Sequence, residues 1–113
     1  MEQSILTTIR TMIGPSASYE VFDTDLIIGI NTAFARLCQL GVGPQIPFKI
    51  HGDTETWDDF MSDDELSDEV KQYVYLKTRL IFDPPENGNV ASSYQAQIDQ
   101  LEWLLKEVAR FGY

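Results

Sequence analysis

The sequence predicts an all-α fold, a small bundle of about four helices with an irregular acidic arm between the second and third helices. Apolar residues recur every three or four positions in four segments of the chain, as on one face of an α-helix. Residues that start or end helices, such as glycine, proline, serine and asparagine, border those segments. The 113 residues suffice for one hydrophobic core rather than two, so we expect a single domain over residues 1–113.

The first two predicted helices are bounded by clear end residues. The first occupies residues 3–13, has one apolar face, and ends at Gly14 and Pro15. The second begins after Asp23, a suitable N-cap residue, and ends at Gly41. Its apolar stripe consists of Leu26, Ile30, Ala33, Leu37 and Leu40. Since Ile27, Phe34 and Cys38 widen that stripe, we expect this helix to lie in the core.

The arm that follows the second helix is polar and acidic. Residues 48–53 alternate apolar and polar side chains, which predicts a short extended segment. Residues 54–69 then carry eight carboxylates and no lysine or arginine. One helical turn within this stretch would direct Trp57 inward, together with either Phe60 or Met61.

The last two predicted helices are joined by a proline turn. Ser62 and Glu65 match a capping box at the start of the third helix, with Ser67 as the alternative cap. The sequence DPP at 83–85 ends that helix, because proline cannot continue the hydrogen-bond ladder. The fourth helix begins at Asn89, which is expected to be its N-cap. Its apolar stripe is the most regular in the chain: Tyr94, Ile98, Leu101, Leu105 and Val108.

Charge and hydropathy exclude several classes of function. The net charge is −10, so free nucleic acid should be repelled, because phosphate binding needs clustered lysine and arginine. The longest apolar run, at 26–30, is far shorter than the roughly 20 residues that cross a bilayer. The N-terminus has no basic segment followed by an apolar block, so we expect no membrane contact and synthesis in a cytoplasm.

The acidic stretch divides into two predicted roles. Residues 63–65 would stabilise a helix N-terminus, where anions interact favourably with unpaired amides. An exposed acidic rim would comprise Asp53, Glu55, Asp58 and Asp59. Compared with a calcium loop that starts at Asp53, Trp57 and Asp58 occupy the positions of a ligand and of the turn glycine, and Asp64 replaces the final glutamate. The sequence therefore predicts no calcium loop and no specific metal site.

The sequence contains no recognisable catalytic motif. The only histidine, His51, precedes a glycine in a predicted turn, and no glycine-rich phosphate loop is present. The single cysteine, Cys38, cannot form an internal disulfide and is expected to be a small buried residue. We therefore predict neither an enzyme nor a bound cofactor.

The two tryptophans are the main candidates for an interface between proteins. Trp103 lies on the flank of a stripe that other residues already fill, and Trp57 lies on the irregular arm. Each indole is either partly exposed, as an interface anchor, or closes an edge of the small core. The candidate interface residues are Trp57, Asp58, Asp59, Phe60, Trp103, Phe111 and Tyr113.

Two functions of different classes follow from size and charge. A small acidic mimic of DNA could inhibit a nucleic-acid-binding enzyme by occupying its basic site. Nine of the 18 acids fall within residues 51–69, however, whereas mimicry of a duplex needs carboxylates spread over an extended face. The alternative is a protein without catalytic activity that binds other proteins through large apolar groups at its surface.

Four segments of the chain carry a resemblance to a known family. They are FDTDLIIGINTAFARLCQLGVGP at 22–44, TWDDFMSDD at 56–64, VKQYVYLKTRLIFDPP at 70–85 and QIDQLEWLLKEV at 97–108. Taken together and in this order, they resemble the small head-tail connector proteins of long-tailed bacteriophages and related prophages, also called adaptor or head-completion proteins. The similarity extends from about residue 19 to about residue 108.

The resemblance implies a helical virion protein of the neck region. Subunits of this family assemble into a ring, commonly dodecameric, beneath the portal vertex of the capsid. The ring binds the portal protein on one side and a neck or tail-completion protein on the other, and DNA passes through its channel. The residues implied for the turn between the last two helices are Arg79, Phe82, Asp83, Pro84 and Pro85. Trp103, like Arg79, is implied to lie near that turn.

Overall fold

The structure, a computed structural model, describes residues 4–15, 20–46, 48–60 and 67–111. Within these ranges it contains five α-helices, one 3-10 turn and no β-strand, so the predicted all-α fold is confirmed. The α-helices are α1 (Ile5–Ile13), α2 (Asp23–Gln39), α3 (Trp57–Phe60), α4 (Ser67–Phe82) and α5 (Gly88–Phe111). The 3-10 turn, Glu20–Phe22, leads directly into α2.

Helix α4 lies between α2 and α5 and runs antiparallel to both. Phe22 at the start of α2 packs edge to face on Phe82 at the end of α4, with ring centroids 5.5 Å apart. Seven residues further along α2, the backbone of Gly29 lies against Thr78 of α4. Residue numbers therefore rise along α2 while they fall along α4. The close approach favours glycine, since a Cβ at position 29 would lie 3.1 Å from the Thr78 methyl group, closer than an ordinary van der Waals contact.

The same argument orients α5. Arg79, near the end of α4, lies over the ring of Tyr94 in the first half of α5, whereas Tyr73 hydrogen bonds Glu102 in the second half. Since α2 and α5 are both antiparallel to α4, they are parallel to each other. We call the end of the bundle where α4 meets α5 the joint end, and the opposite end the far end.

The core lies where α1, α2, α4 and α5 meet. Its fully buried side chains include Ile5, Leu6, Ile9, Leu26, Ile30, Phe34, Leu37, Ile50, Tyr73, Leu76, Ile98 and Leu105. Ile50 comes from the predicted extended segment, and the others come from the four predicted helices. Burying such side chains is the main favourable term in folding, at about 1.5–3 kcal/mol for each large one.

The predicted ends of the helices are partly confirmed. Gly41 follows α2 with φ +85°, the left-handed conformation that glycine adopts at helix ends. Asp23, predicted as the N-cap of α2, is instead its first helical residue and pairs with Arg10 of α1. At the start of α5 the cap is Asn87, whose Oδ1 accepts the Asn89 backbone N–H at 2.8 Å. The expectation that Asn89 is the cap was therefore wrong by two positions.

The predicted extended segment at 48–53 pairs with no strand among the described residues. Instead, the Asn31 side chain of α2 takes the place of a neighbouring strand. Its Nδ2 donates to the Ile50 carbonyl at 3.0 Å, and its Oδ1 accepts the Ile50 N–H at 2.7 Å. One amide side chain thus satisfies both backbone groups and lets Ile50 enter the core, so a second strand is not needed.

Part of the acidic arm lies outside the described residues. The capping box of Ser62 and Glu65, the acids at 63–65 and Met61 all fall there. Ser67, the alternative cap, is the first residue of α4.

Candidate protein-binding surfaces

Helix α3 attaches the acidic arm to the bundle. Trp57 and Phe60 lie three residues apart and therefore face the same way, and each is only 4% exposed. Asp58 and Asp59, between them, are exposed. The predicted inward turn of Trp57 is confirmed, and Phe60 is its partner.

An aromatic cluster holds this turn against α2. Its centre is Phe34, which is fully buried. Its ring centroid lies 4.6 Å from that of Phe60, 5.2 Å from that of Phe48 and 6.2 Å from that of Trp57. Aromatic rings at these separations attract one another beyond the area that they bury. The cluster therefore fixes the arm at one place on the bundle.

Partial exposure of Trp57 was the wrong alternative. Its indole Nε1–H donates to the Thr8 hydroxyl of α1 at 3.1 Å, and the ammonium of Lys71 lies 5.8 Å from the ring centroid. The residue thus closes an edge of its own core, where a buried indole needs a hydrogen-bond acceptor.

Two carboxylates of the predicted acidic rim have structural partners. Asp59, the third residue of α3, accepts the Thr56 N–H through Oδ2 at 2.9 Å, as the acidic residue of a capping box does, and it remains exposed. Glu55 is half-buried rather than exposed, and its Oε2 accepts the His51 N–H at 2.8 Å. Burial acts to raise the pKa of Glu55, but hydrogen bonds from backbone N–H groups, His51 first, outweigh it and hold the pKa below its usual value.

Arg79 ties the turn between α4 and α5 together. Its Nη1 donates to the Tyr75 hydroxyl at 2.8 Å, its Nε lies 3.4 Å from the Asp83 carbonyl oxygen, and its guanidinium stacks 5.6 Å from the Tyr94 ring centroid. The hydrogen bond from Arg79 to Tyr75 also raises the pKa of the guanidinium. The structure therefore places Arg79 at the joint, as the resemblance implies.

Trp103 lies away from the joint, contrary to what the resemblance implies. It comes 15 residues after Gly88, the first residue of α5, which corresponds to roughly 22 Å of helix. Its neighbours include Arg36 and Leu40, near the end of α2 and therefore toward the far end. The resemblance does not give the direction of α5, and this direction carries Trp103 away from the turn. Trp103 is 65% exposed, so exposure is the alternative that holds for this indole.

A groove of about 430 Å³ opens at the joint end between α2 and α4. Its lining residues are Phe22, Asp25, Ile28, Ile81, Phe82 and Asp83. Ile28 is 56% exposed and Ile81 is 53% exposed. Sequence reasoning missed this groove. One feature of the sequence could have indicated it: Ile28 is large and apolar but lies outside the apolar stripe of its helix.

A second surface surrounds Trp103 near the far end. We call it the Trp103 surface; it is lined by Arg36, Leu40, Asp99, Glu102, Trp103 and Lys106. Its floor is a hydrogen-bonded network that joins three helices. Glu102 Oε2 accepts the Tyr73 hydroxyl at 2.7 Å, and Oε1 accepts the Arg36 Nη2 at 3.1 Å.

The network shifts the pKa of each of its members. Burial acts to raise the pKa of Glu102, but hydrogen bonds from Tyr73 and Arg36 lower it below its usual value. Burial and the bond to Glu102 raise the pKa of Tyr73. The bond to Glu102 raises the pKa of Arg36.

We expect Glu102 to make stability depend on pH in the acidic range. Because its folded-state pKa lies below the ordinary 4.5, its contribution is present above that pH and is lost as the pH falls through the lower value. Glu102→Gln should lower the free energy of unfolding by roughly 1.5–3 kcal/mol at pH 7. The difference from the wild type should shrink as the pH falls below 4.5. Urea denaturation at several pH values measures both effects.

Glu86→Gln is the matched control, because Glu86 is exposed, lies outside this network and undergoes the same change. It should leave the wild-type pH dependence unchanged. An equal loss of stability for Glu102→Gln at pH 3 and pH 7 would contradict the expected role of the network.

The C-terminal candidates are only partly described. Phe111 is the last residue of α5, and Tyr113 lies outside the described residues. Within the described ranges, no group of three or more His, Cys, Asp and Glu residues is placed to hold a metal ion. In the part of the chain that the structure describes, no helix is long and apolar enough to span a bilayer.

These features define a small helical protein with exposed apolar surfaces at two places on one bundle. A family model described as phage connector protein matches residues 5–110, nearly the whole chain. The chain therefore belongs to the phage connector protein family. Membership makes it a structural protein of the phage particle that contacts other virion proteins at the head-tail junction. Comparisons with curated proteins and with solved structures gave no significant match.

Proposed function

We propose that this chain is the subunit of a ring, dodecameric in the virion, that joins the portal vertex to the neck or tail. The observation that carries the proposal is the match of the phage connector family over residues 5–110. The ring would bind the portal protein on one side and a neck or tail-completion protein on the other. Its role is structural, without catalysis or a cofactor, and the subunit is made in the cytoplasm of the bacterial host.

The charge of the chain supports passage of DNA through the ring. Each subunit carries a net charge of −10, and Asp53, Asp58 and Asp59 are exposed on the arm. About twelve copies around a channel would repel phosphate groups, so that DNA slides through without adhering. We propose that these three carboxylates face the channel. The family match favours this role over that of a small acidic inhibitor, whose acids would need a wider spread.

Placement of the arm between neighbouring subunits is less favoured by the fold. In that alternative, Trp57 would dock into the next copy. The indole is buried in its own chain, however, and its N–H is already bonded to Thr8. Docking would require the aromatic cluster to open. The favourable free energy of burying at least one large side chain would then be lost.

Electron microscopy of portal particles mixed with the purified protein tests the proposal. We expect a ring of added density at the portal, absent from portal particles alone, with residues 53–59 toward the channel. Well-folded protein that adds no density would contradict the connector role. A ring whose acidic arm packs on the outside would contradict only the placement of the carboxylates.

A further inference from the structure

We propose that the exposed indole of Trp103 in one copy of this chain enters the groove at the joint end of a second copy. The groove is the one between α2 and α4 described above. This inference rests on the proposed function, because a ring needs a contact that repeats from copy to copy. It adds the two surfaces that make the contact and the residue that anchors it.

The two surfaces are complementary in shape and polarity. Trp103 projects from α5 and is 65% exposed, whereas the groove is a concave space of about 430 Å³. Apolar walls of the groove come from Phe22, Ile28, Ile81 and Phe82. Its volume lies in the range of roughly 300–1,000 Å³ typical of ligand pockets, so one indole fits. Tryptophan is enriched among the residues that dominate binding energy at protein interfaces.

Charge distinguishes this pairing from the contact of a groove with another groove. Among the residues that the structure describes, the ionisable side chains lining the groove are two acids, Asp25 and Asp83, with no base. Two grooves in contact would bring four carboxylates together, at a cost in repulsion. The Trp103 surface instead contains two of the eight bases of the chain, Arg36 and Lys106. These bases balance its two acids, Asp99 and Glu102, so the Trp103 surface has no net formal charge and brings no such repulsion to the groove.

The positions of the two surfaces predict how copies assemble. The groove lies at the joint end, and Trp103 lies toward the far end of the antiparallel bundle. Each chain therefore offers one anchor and one groove. When an anchor of the first chain fills a groove of the second, both chains keep one unused surface. Such head-to-tail contacts continue until they close into a ring or extend as an open filament.

Two complementary variants test this inference. Trp103→Ala removes the anchor and keeps the groove, whereas Ile28→Asp places a charge in the groove and keeps the anchor. Each variant alone should self-associate at least about 10-fold more weakly than the wild type. Because each retains the surface that the other lacks, an equimolar mixture should form a complex of one copy of each and stop there. Sedimentation velocity across a concentration series measures the size of every species.

Matched controls separate the contact from general effects on the fold. Ile46→Asp makes the same change at an isoleucine that is 79% exposed and outside both surfaces. Leu104→Ala truncates an exposed apolar residue next to Trp103 on α5 that does not line the Trp103 surface. Both controls should assemble like the wild type, and circular dichroism should show that all four variants remain helical.

The outcomes keep the inference distinct from the proposed function. If the wild type, Trp103→Ala and Ile28→Asp all add a ring to portal particles equally well, the inference is overturned. The proposed function as a connector then stands. A wild-type complex that stops at two copies would also overturn head-to-tail assembly. If the wild type adds no ring to portal particles, the proposed function fails, and the mixture of the two variants in solution still decides the inference.

Discussion

Replacement of Phe34 with alanine should lower the free energy of unfolding by about 3–5 kcal/mol. Phe34 is fully buried in α2 and contacts three aromatic rings, those of Phe48, Trp57 and Phe60. Alanine would remove the ring and leave a cavity that the three neighbouring rings fill only in part. The loss is a large share of the roughly 5–15 kcal/mol that stabilises a typical domain.

Chemical denaturation followed by circular dichroism measures this loss. Phe34→Leu is the control, because leucine keeps an apolar side chain in the site and should cost less than the truncation to alanine. In addition, protease cleavage within residues 51–60 should become faster in Phe34→Ala, since the arm is attached to the bundle through this ring. A loss of less than 1 kcal/mol for Phe34→Ala would show that the arm does not depend on the cluster.

Replacement of Gly43 with alanine should be more costly than the same change at Gly41. Both glycines have positive φ, +86° at Gly43 and +85° at Gly41, so each alanine incurs a similar backbone penalty of roughly 1–2 kcal/mol. Their surroundings differ. A Cβ at position 43 would lie 2.6 Å from two ring carbons of Phe60, whereas one at position 41 would lie 4.0 Å from Ala109. Relief of that overlap should add about 1–3 kcal/mol to the cost at Gly43.

The pair of alanine variants thus separates backbone strain from side-chain overlap. Denaturation of Gly41→Ala and Gly43→Ala in the wild-type background gives the difference between the two positions. In the background of Phe60→Ala, where the ring is absent, that difference should largely disappear, as a double-mutant cycle would show. If it persists at the same size, the loop at 41–46 does not pack on Phe60 as the structure describes.

Local patterns in the sequence were sufficient for the long helices. The apolar stripe of α5 was readable because a helical face is formed by residues three and four positions apart, all within one segment. The end of α4 was readable because proline removes a backbone donor wherever it stands. Caps were less certain: Asn87 and Asn89 are equally suitable by type, and the backbone path decides which of them caps α5.

Contacts between distant residues were beyond such patterns. Trp57 lies 23 positions after Phe34, and its burial depends on the loop returning to α2 through the Asn31 side chain. The groove brings together Ile28 of α2 and Ile81 of α4, and both side chains lie outside the core. The location of Trp103 required the direction of α5, which no residue of α5 specifies by itself.

The sequence alone determined that this protein is helical, acidic and built around one core, because those properties depend on composition and on neighbours within a few positions. It also carried the resemblance that the family match confirmed. The tertiary structure decided which aromatic residues are buried and which are available for binding. The exposure of a side chain depends on which helix surfaces pack against each other, and this packing joins residues far apart in the chain.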